Sequence, residues 1–178
     1  MTTLALPSIR PALKRKGAFG LSPLVRGLVL ITGVSVTMLC FIALARMATG
    51  YAPTIAYARH LAIIIHVATV VPAVPLGAWL LLARKGTAAH KALGKLWVGL
   101  MVITAIAVIF TRGGTDFSWI HIFVPITLAG AWKVIATARA GNITEHRKHI
   151  VGMFFGALLI PGGFAFLPGR IMGIWLYG

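Results

Sequence analysis

The chain has 178 residues, of which 59% are hydrophobic and 11% charged, with a mean hydropathy of +0.94. That leaves too little polar surface to cover a globule in water, which excludes a soluble fold and makes this an integral membrane protein. The net charge of +15 does not point to nucleic acid, because its basic residues fall between apolar blocks instead of forming one phosphate-binding face.

The first 23 residues carry Arg10, Lys14, Arg15 and Lys16 together with Pro7, Pro11 and Pro23, and read as a basic cytoplasmic arm touching anionic headgroups. Residues 24–178 form a single helical transmembrane domain. No small-residue cleavage site follows a short apolar core, so the first apolar segment reads as a retained anchor. Five spans are predicted, each of about 20 residues. They run from Leu24 to Ala48, Tyr57 to Ala83, Lys91 to Thr111, Phe117 to Thr137, and Ile150 to about Leu167.

The first span carries Gly33, Ser35 and Thr37, small residues on which a homodimer could close, and Cys40 as a space-filling thiol. Pro72, Pro75, Pro125 and Pro161 fall inside spans and predict kinks or widened turns. Trp79, Trp97, Trp119, Trp132 and Trp175 stand near span ends and read as interfacial anchors. Gly77, Gly94, Gly99, Gly130, Gly152 and Gly156 leave room within the spans for a flat macrocycle or for close helix packing.

Cytoplasmic loops and helix ends carry excess lysine and arginine. An inside amino terminus gathers the arm and Arg26, then Arg84, Lys85, Lys91 and Lys95, then Lys133, Arg139, Arg147 and Lys148 on one side. Only Arg46, Arg59, Arg112 and Arg170 remain opposite, so the carboxyl terminus is predicted outside, in a bacterial inner membrane.

Six histidines stand in this apolar background. Imidazole is costly to carry into lipid, so each buried one is a candidate metal or proton site. With the predicted topology, His66 on the second span and His121 on the fourth share an outer layer. His90 on the third and His146 or His149 on the fifth share an inner one. His60, beside Arg59, reads as an interfacial residue. Helical bundles build cofactor sites from side chains projecting inward on facing helices, and two imidazoles at equal depth supply the axial ligands of a six-coordinate haem b.

The expected fold is therefore an all-α integral membrane protein of about five transmembrane helices, four of them forming a cofactor-capable bundle. One or two haems are expected, with outer iron on His66 and His121 and inner iron on His90 with His149 or His146. His146 and His149 alone, one turn apart, make only half a zinc site. Asp116 and Glu145 are the only carboxylates and lie on opposite sides, which excludes a paired-carboxylate acid/base site. Asn142 or Thr144 is a plausible cap for the fifth helix, and Glu145 either supports that cap or accepts from the adjacent histidine.

The segments HKALGKLWVGLM at His90 to Met101, FSWIHIFVPITL at Phe117 to Leu128, ARAGNITEHRKHIVGMFFG at Ala138 to Gly156 and the ending FLPGRIMGIWLYG resemble small bacterial membrane proteins grouped as domain of unknown function 2306. The resemblance covers about residues 57–178. It implies that His66, His90, His121, His146 and Arg147, with the Pro168-Gly169-Arg170 turn, are signature positions, and it carries no established activity. The pairing of second with fourth and third with fifth spans also resembles the two-haem transmembrane cytochromes b. That likeness implies haem b, bis-histidine ligation and a quinol or small reductant as donor. The resulting expectation is a membrane oxidoreductase component that transfers electrons. The alternative is a non-catalytic accessory or assembly subunit of a larger respiratory or photosynthetic complex. A small transporter fits less well, because five spans give no inverted repeat.

Overall fold

The fold is described from a computed structural model for residues 20–111 and 119–178. Residues 1–19 of the arm, Arg112, Asp116 and the start of the predicted fourth span at Phe117 lie outside the described residues. Helix and turn account for the ordered secondary structure, with no strand among the described residues.

Four helices are long and apolar enough to cross a bilayer: α1 (Pro23–Ala48), α2 (Leu61–Leu82), α3 (Ala88–Ile109) and α4 (Phe123–Arg139), the last extended by the 3-10 turn Trp119–Ile122. The fifth apolar segment is a helical run of three pieces, α5 (Ile143–Gly152), a π-helical stretch Met153–Leu159 and α6 (Ile160–Phe164). A short helix, α7 (Ile171–Tyr177), closes the chain. The protein is thus a multi-pass, all-α membrane bundle.

Local chemistry sets the ends. Ser22 caps α1, its Oγ accepting from the Val25 amide at 3.3 Å, and Pro23 opens the helix where its missing N–H costs nothing. Thr87 caps α3 through the His90 amide at 3.0 Å, and Asn142 caps α5 through the Glu145 amide at 3.2 Å. Asn142 is one of the two caps expected. Glu145 itself turns to Lys148, at 2.6 Å, and not to its neighbour His146. Inside the spans Thr32, Thr37, Thr69, Thr127 and Thr137 return their hydroxyls to carbonyls four residues back, which satisfies these hydroxyls within their own helices.

The prolines act differently from one another. Helix α2 runs unbroken through Pro72 and Pro75. Pro161 is different: the seven residues before Ile160 widen into the π-helical stretch. Proline cannot donate to the carbonyl four residues back and its ring crowds that carbonyl, so a wider turn upstream relieves both.

The π stretch packs against α1, α2 and α4, while α3 packs against α2 and α4. Helices α2 and α4 therefore face one another across the bundle, as do α3 and the fifth segment. The centre is filled by Trp97, Phe154, Met101, Leu158 and Val29, each buried. Trp97 is thus a core residue and not the interfacial anchor its position suggested; its indole N–H is satisfied by the Ala73 carbonyl at 2.9 Å. Trp175 is likewise buried. Gly77 makes the central packing possible, since a Cβ there would lie 2.7 Å from Trp97 Nε1 and 2.9 Å from Phe154 Cδ2. Gly33 is buried against Ala78 of α2 and faces into its own bundle, so it is not available to the homodimer seam expected of it. Outward, Leu24, Ile31, Phe41, Ile64 and Ile103 are exposed, as a surface solvated by lipid tails requires.

Candidate functional site: two histidine layers at opposite ends of the bundle

The two ends of the bundle are chemically distinct. At one end Arg46, in the last turn of α1, donates from Nε to the Trp175 carbonyl (3.0 Å) and from Nη2 to the Gly178 (2.6 Å) and Tyr51 (3.3 Å) carbonyls. It thereby satisfies carbonyls that α7 leaves open at its end. At the other end Arg147 Nη1 donates to the Gly20 carbonyl at 2.6 Å, bringing the start of α5 to the start of α1. The start of α1 and the end of α7 are therefore at opposite ends.

His66 and Thr104 define the layer nearer Arg46. Thr104 Oγ1 lies 2.8 Å from His66 Nδ1 and 3.3 Å from the His66 carbonyl, and Nδ1 is also 3.4 Å from the Thr104 carbonyl. The assignment that satisfies all three has Nδ1–H donating to Thr104 and the hydroxyl donating back to the His66 carbonyl. Nε2 is then the bare nitrogen. His66 thus leans on α3, a contact between neighbouring helices that the span-pairing argument did not anticipate. His121 is half-buried in the 3-10 turn that leads into α4, across the bundle from α2.

The second layer gathers at the Arg147 end. His146 Nδ1 lies 3.0 Å from the Val134 carbonyl of α4. A carbonyl only accepts, so Nδ1 carries the hydrogen and Nε2 is left as the lone-pair nitrogen. His90 is half-buried, with its Nδ1 enclosed and without a hydrogen-bond partner, and it stands within electrostatic range of both Lys85 and His146. His149 faces the field of Glu145 on its own helix. His60 is exposed at the start of α2.

Lys85 closes this end. Its Nζ donates to the Leu80 and Leu81 carbonyls at 2.7 and 2.6 Å, capping the carboxyl end of α2. Burial, with the charges of Arg26 and Arg147 behind it, pulls its ammonium from 10.5 down to about 8.

Axial haem ligands hold Nδ1 on an outer partner and turn Nε2 to the iron. His146 and His66 meet that requirement, whereas His90, whose enclosed Nδ1 has no hydrogen-bond partner among the described residues, does not. Among the described residues no three His, Cys, Asp or Glu side chains converge on a common point. Between the layers, Trp97 and Phe154 fill the interior and leave no room there for a macrocycle. A groove of about 440 Å³ lies outside it, between α2 and α3 on the lipid side, with Leu61, Ile65, Ile103 and Phe110 in its apolar walls. Comparison with family profiles, with curated proteins and with solved structures finds no match.

Proposed function

We propose that the chain is a transmembrane electron-transfer protein, a small b-type cytochrome of the bacterial inner membrane with its amino terminus in the cytoplasm. The observation that carries this reading is the Nδ1 hydrogen bond of His146 to Val134, which leaves its Nε2 as the lone-pair nitrogen, with His90 within electrostatic range. It favours His146 over His149 as the partner of His90 in the inner layer, and His66 with His121 remain the outer pair. Bound haem b would supply one-electron redox chemistry at each layer. The protein's part is to fix ring orientation through Thr104 and Val134 and to exclude water with Trp97, Phe154 and Met101. A quinol or small reductant is the donor class this reading implies. Membership of the domain of unknown function 2306 group belongs to the same proposal and rests on the four segments quoted above.

The test is a reduced-minus-oxidised absorption spectrum of the purified protein. Soret and alpha bands are expected. His146→Ala should remove the inner contribution and His66→Ala or His121→Ala the outer one, while His149→Ala leaves both. A folded, colourless protein overturns the proposal and leaves the accessory-subunit reading, which co-purification with a larger complex in mild detergent would then support.

A further inference from the structure

Helices α2 and α3 leave a groove of about 440 Å³ between them on the lipid side, at the end of the bundle where α2 starts and α3 finishes. Its shape follows from side-chain size. Ala62 and Ala107, one from each helix, are buried and form the floor, while Leu61, Ile65, Ile103 and Ile106 stand exposed as walls. Along α3 the lining residues run from Ile103 to Phe110 at spacings of three and four or less, which keeps them on one face of the helix. At 1.5 Å per residue that stripe is about 10 Å long.

The two ends of the groove differ. Inward, Ile65 and Ile103 immediately precede His66 and Thr104, whose 2.8 Å hydrogen bond ties α2 to α3 just beyond these walls. Outward, His60 lines the mouth and Arg59 comes directly before it, both exposed. The span opens at Leu61, so these two side chains stand at headgroup depth. Along its length the groove is therefore complementary to an alkyl chain that ends in a negative charge. A water-soluble anion has nothing to match the apolar walls, and an uncharged lipid has nothing to match Arg59.

We infer that this groove binds one acyl chain of an anionic phospholipid, with the phosphate held at Arg59 and His60. Arginine's fork suits paired phosphate oxygens, and the imidazole adds one hydrogen bond. The bound chain covers the seam between α2 and α3 outside the His66 to Thr104 contact. A quinone tail suits the same walls, but its uncharged head offers the arginine no counter-charge. The site does not depend on whether His66 holds iron.

The test uses the full-length protein in detergent micelles, with retention of phosphatidylglycerol, phosphatidylcholine and a short-chain ubiquinone followed by native mass spectrometry. Phosphatidylglycerol should be retained in preference to the other two and should raise the unfolding midpoint. Arg59→Gln should lower its retention about fivefold, one charge at the membrane surface being removed, and Arg59→Lys should keep most of it. Ile106→Trp, which fills the groove from its exposed wall, should lower retention of both phospholipids. Ile64→Trp, equally exposed on α2 but outside the groove, should leave it unchanged, which separates a blocked groove from a disturbed fold. Equal retention of the two phospholipids, full retention in Arg59→Gln, or equal losses in Ile106→Trp and Ile64→Trp would overturn the inference. Displacement of phosphatidylglycerol by the quinone would overturn it too, and would give the groove to a neutral electron carrier.

Discussion

Lys85 is a residue whose ionisation is moved by where the fold puts it. Read along the chain it is one more positive charge on a short connection, useful for topology alone. In the structure it caps α2 and is half-buried beside two guanidinium groups, and its ammonium falls from 10.5 to about 8. The unfolded chain therefore holds more protons than the folded one between about pH 8 and 10.5, so stability should rise with pH across that window. It should be lowest below pH 8, where both states carry the charge and the fold bears its cost. Thermal unfolding in detergent from pH 7.5 to 10.5 should show this rise in the native protein and a smaller one in Lys85→Gln; identical slopes would contradict it. The choice between His146 and His149 was equally out of reach from spacing. It turns on a carbonyl twelve residues upstream, on another helix, and only packing brings Val134 to the ring. Thr104 was hidden for the same reason: a threonine in an apolar span looks like a self-satisfied hydroxyl, and its partner His66 is 38 residues away. Thr104→Val should therefore cost about 1 kcal/mol, the worth of a hydrogen bond whose loss leaves the half-buried imidazole nitrogen only the longer contact to the Thr104 carbonyl, measurable as a lower unfolding midpoint.

At the scale of elements, most of the architecture was legible. Runs of about 20 apolar residues bounded by basic residues fixed four spans to within a few residues, because bilayer thickness dictates length and hydropathy reports it directly. The fifth was placed from Ile150, yet its helix begins at Ile143, since a capped polar turn adds no hydropathy signal. The π stretch before Pro161 was foreseen only as a kink or widened turn. A proline signals a lost donor without saying whether the helix bends, as it need not at Pro72 and Pro75, or widens. The interior glycines also looked alike in sequence and are not. Gly77 sits under Trp97 and Phe154, whereas nothing lies within 4 Å of a Cβ built on Gly99. Gly77→Ala should push on two rigid rings and cost about 1–3 kcal/mol. Gly99→Ala should change stability by no more than about 0.5 kcal/mol. Equal unfolding midpoints for the two variants would mean that the Trp97–Phe154 layer is not packed as described. Gly130 is an intermediate case, because the atoms facing it belong to the flexible end of Met153.

At the scale of the whole molecule, the two ends of the bundle differ in kind. One is tied by Arg46 to the carbonyls of α7; the other collects Arg26, Lys85, His90, His146 and Arg147 around the starts of three helices. That segregation follows from successive helices that run antiparallel and are joined by short connections, which sends every second connection to the same side. It turns the positive-inside bias into a statement about geometry: the residues that set orientation are the residues that build the cationic end. Orientation can then be read at two exposed positions, Thr87 before α3 and Tyr51 after α1, which the fold puts at opposite ends. In a Cys40→Ser background, where the buried native thiol no longer reacts, Thr87→Cys should be blocked by a membrane-impermeant maleimide only after cells are opened. Tyr51→Cys should be blocked in intact spheroplasts. Labelling of both from the same side would break the bundle topology itself. The reverse pattern would keep the bundle and invert it, placing the cationic end outside.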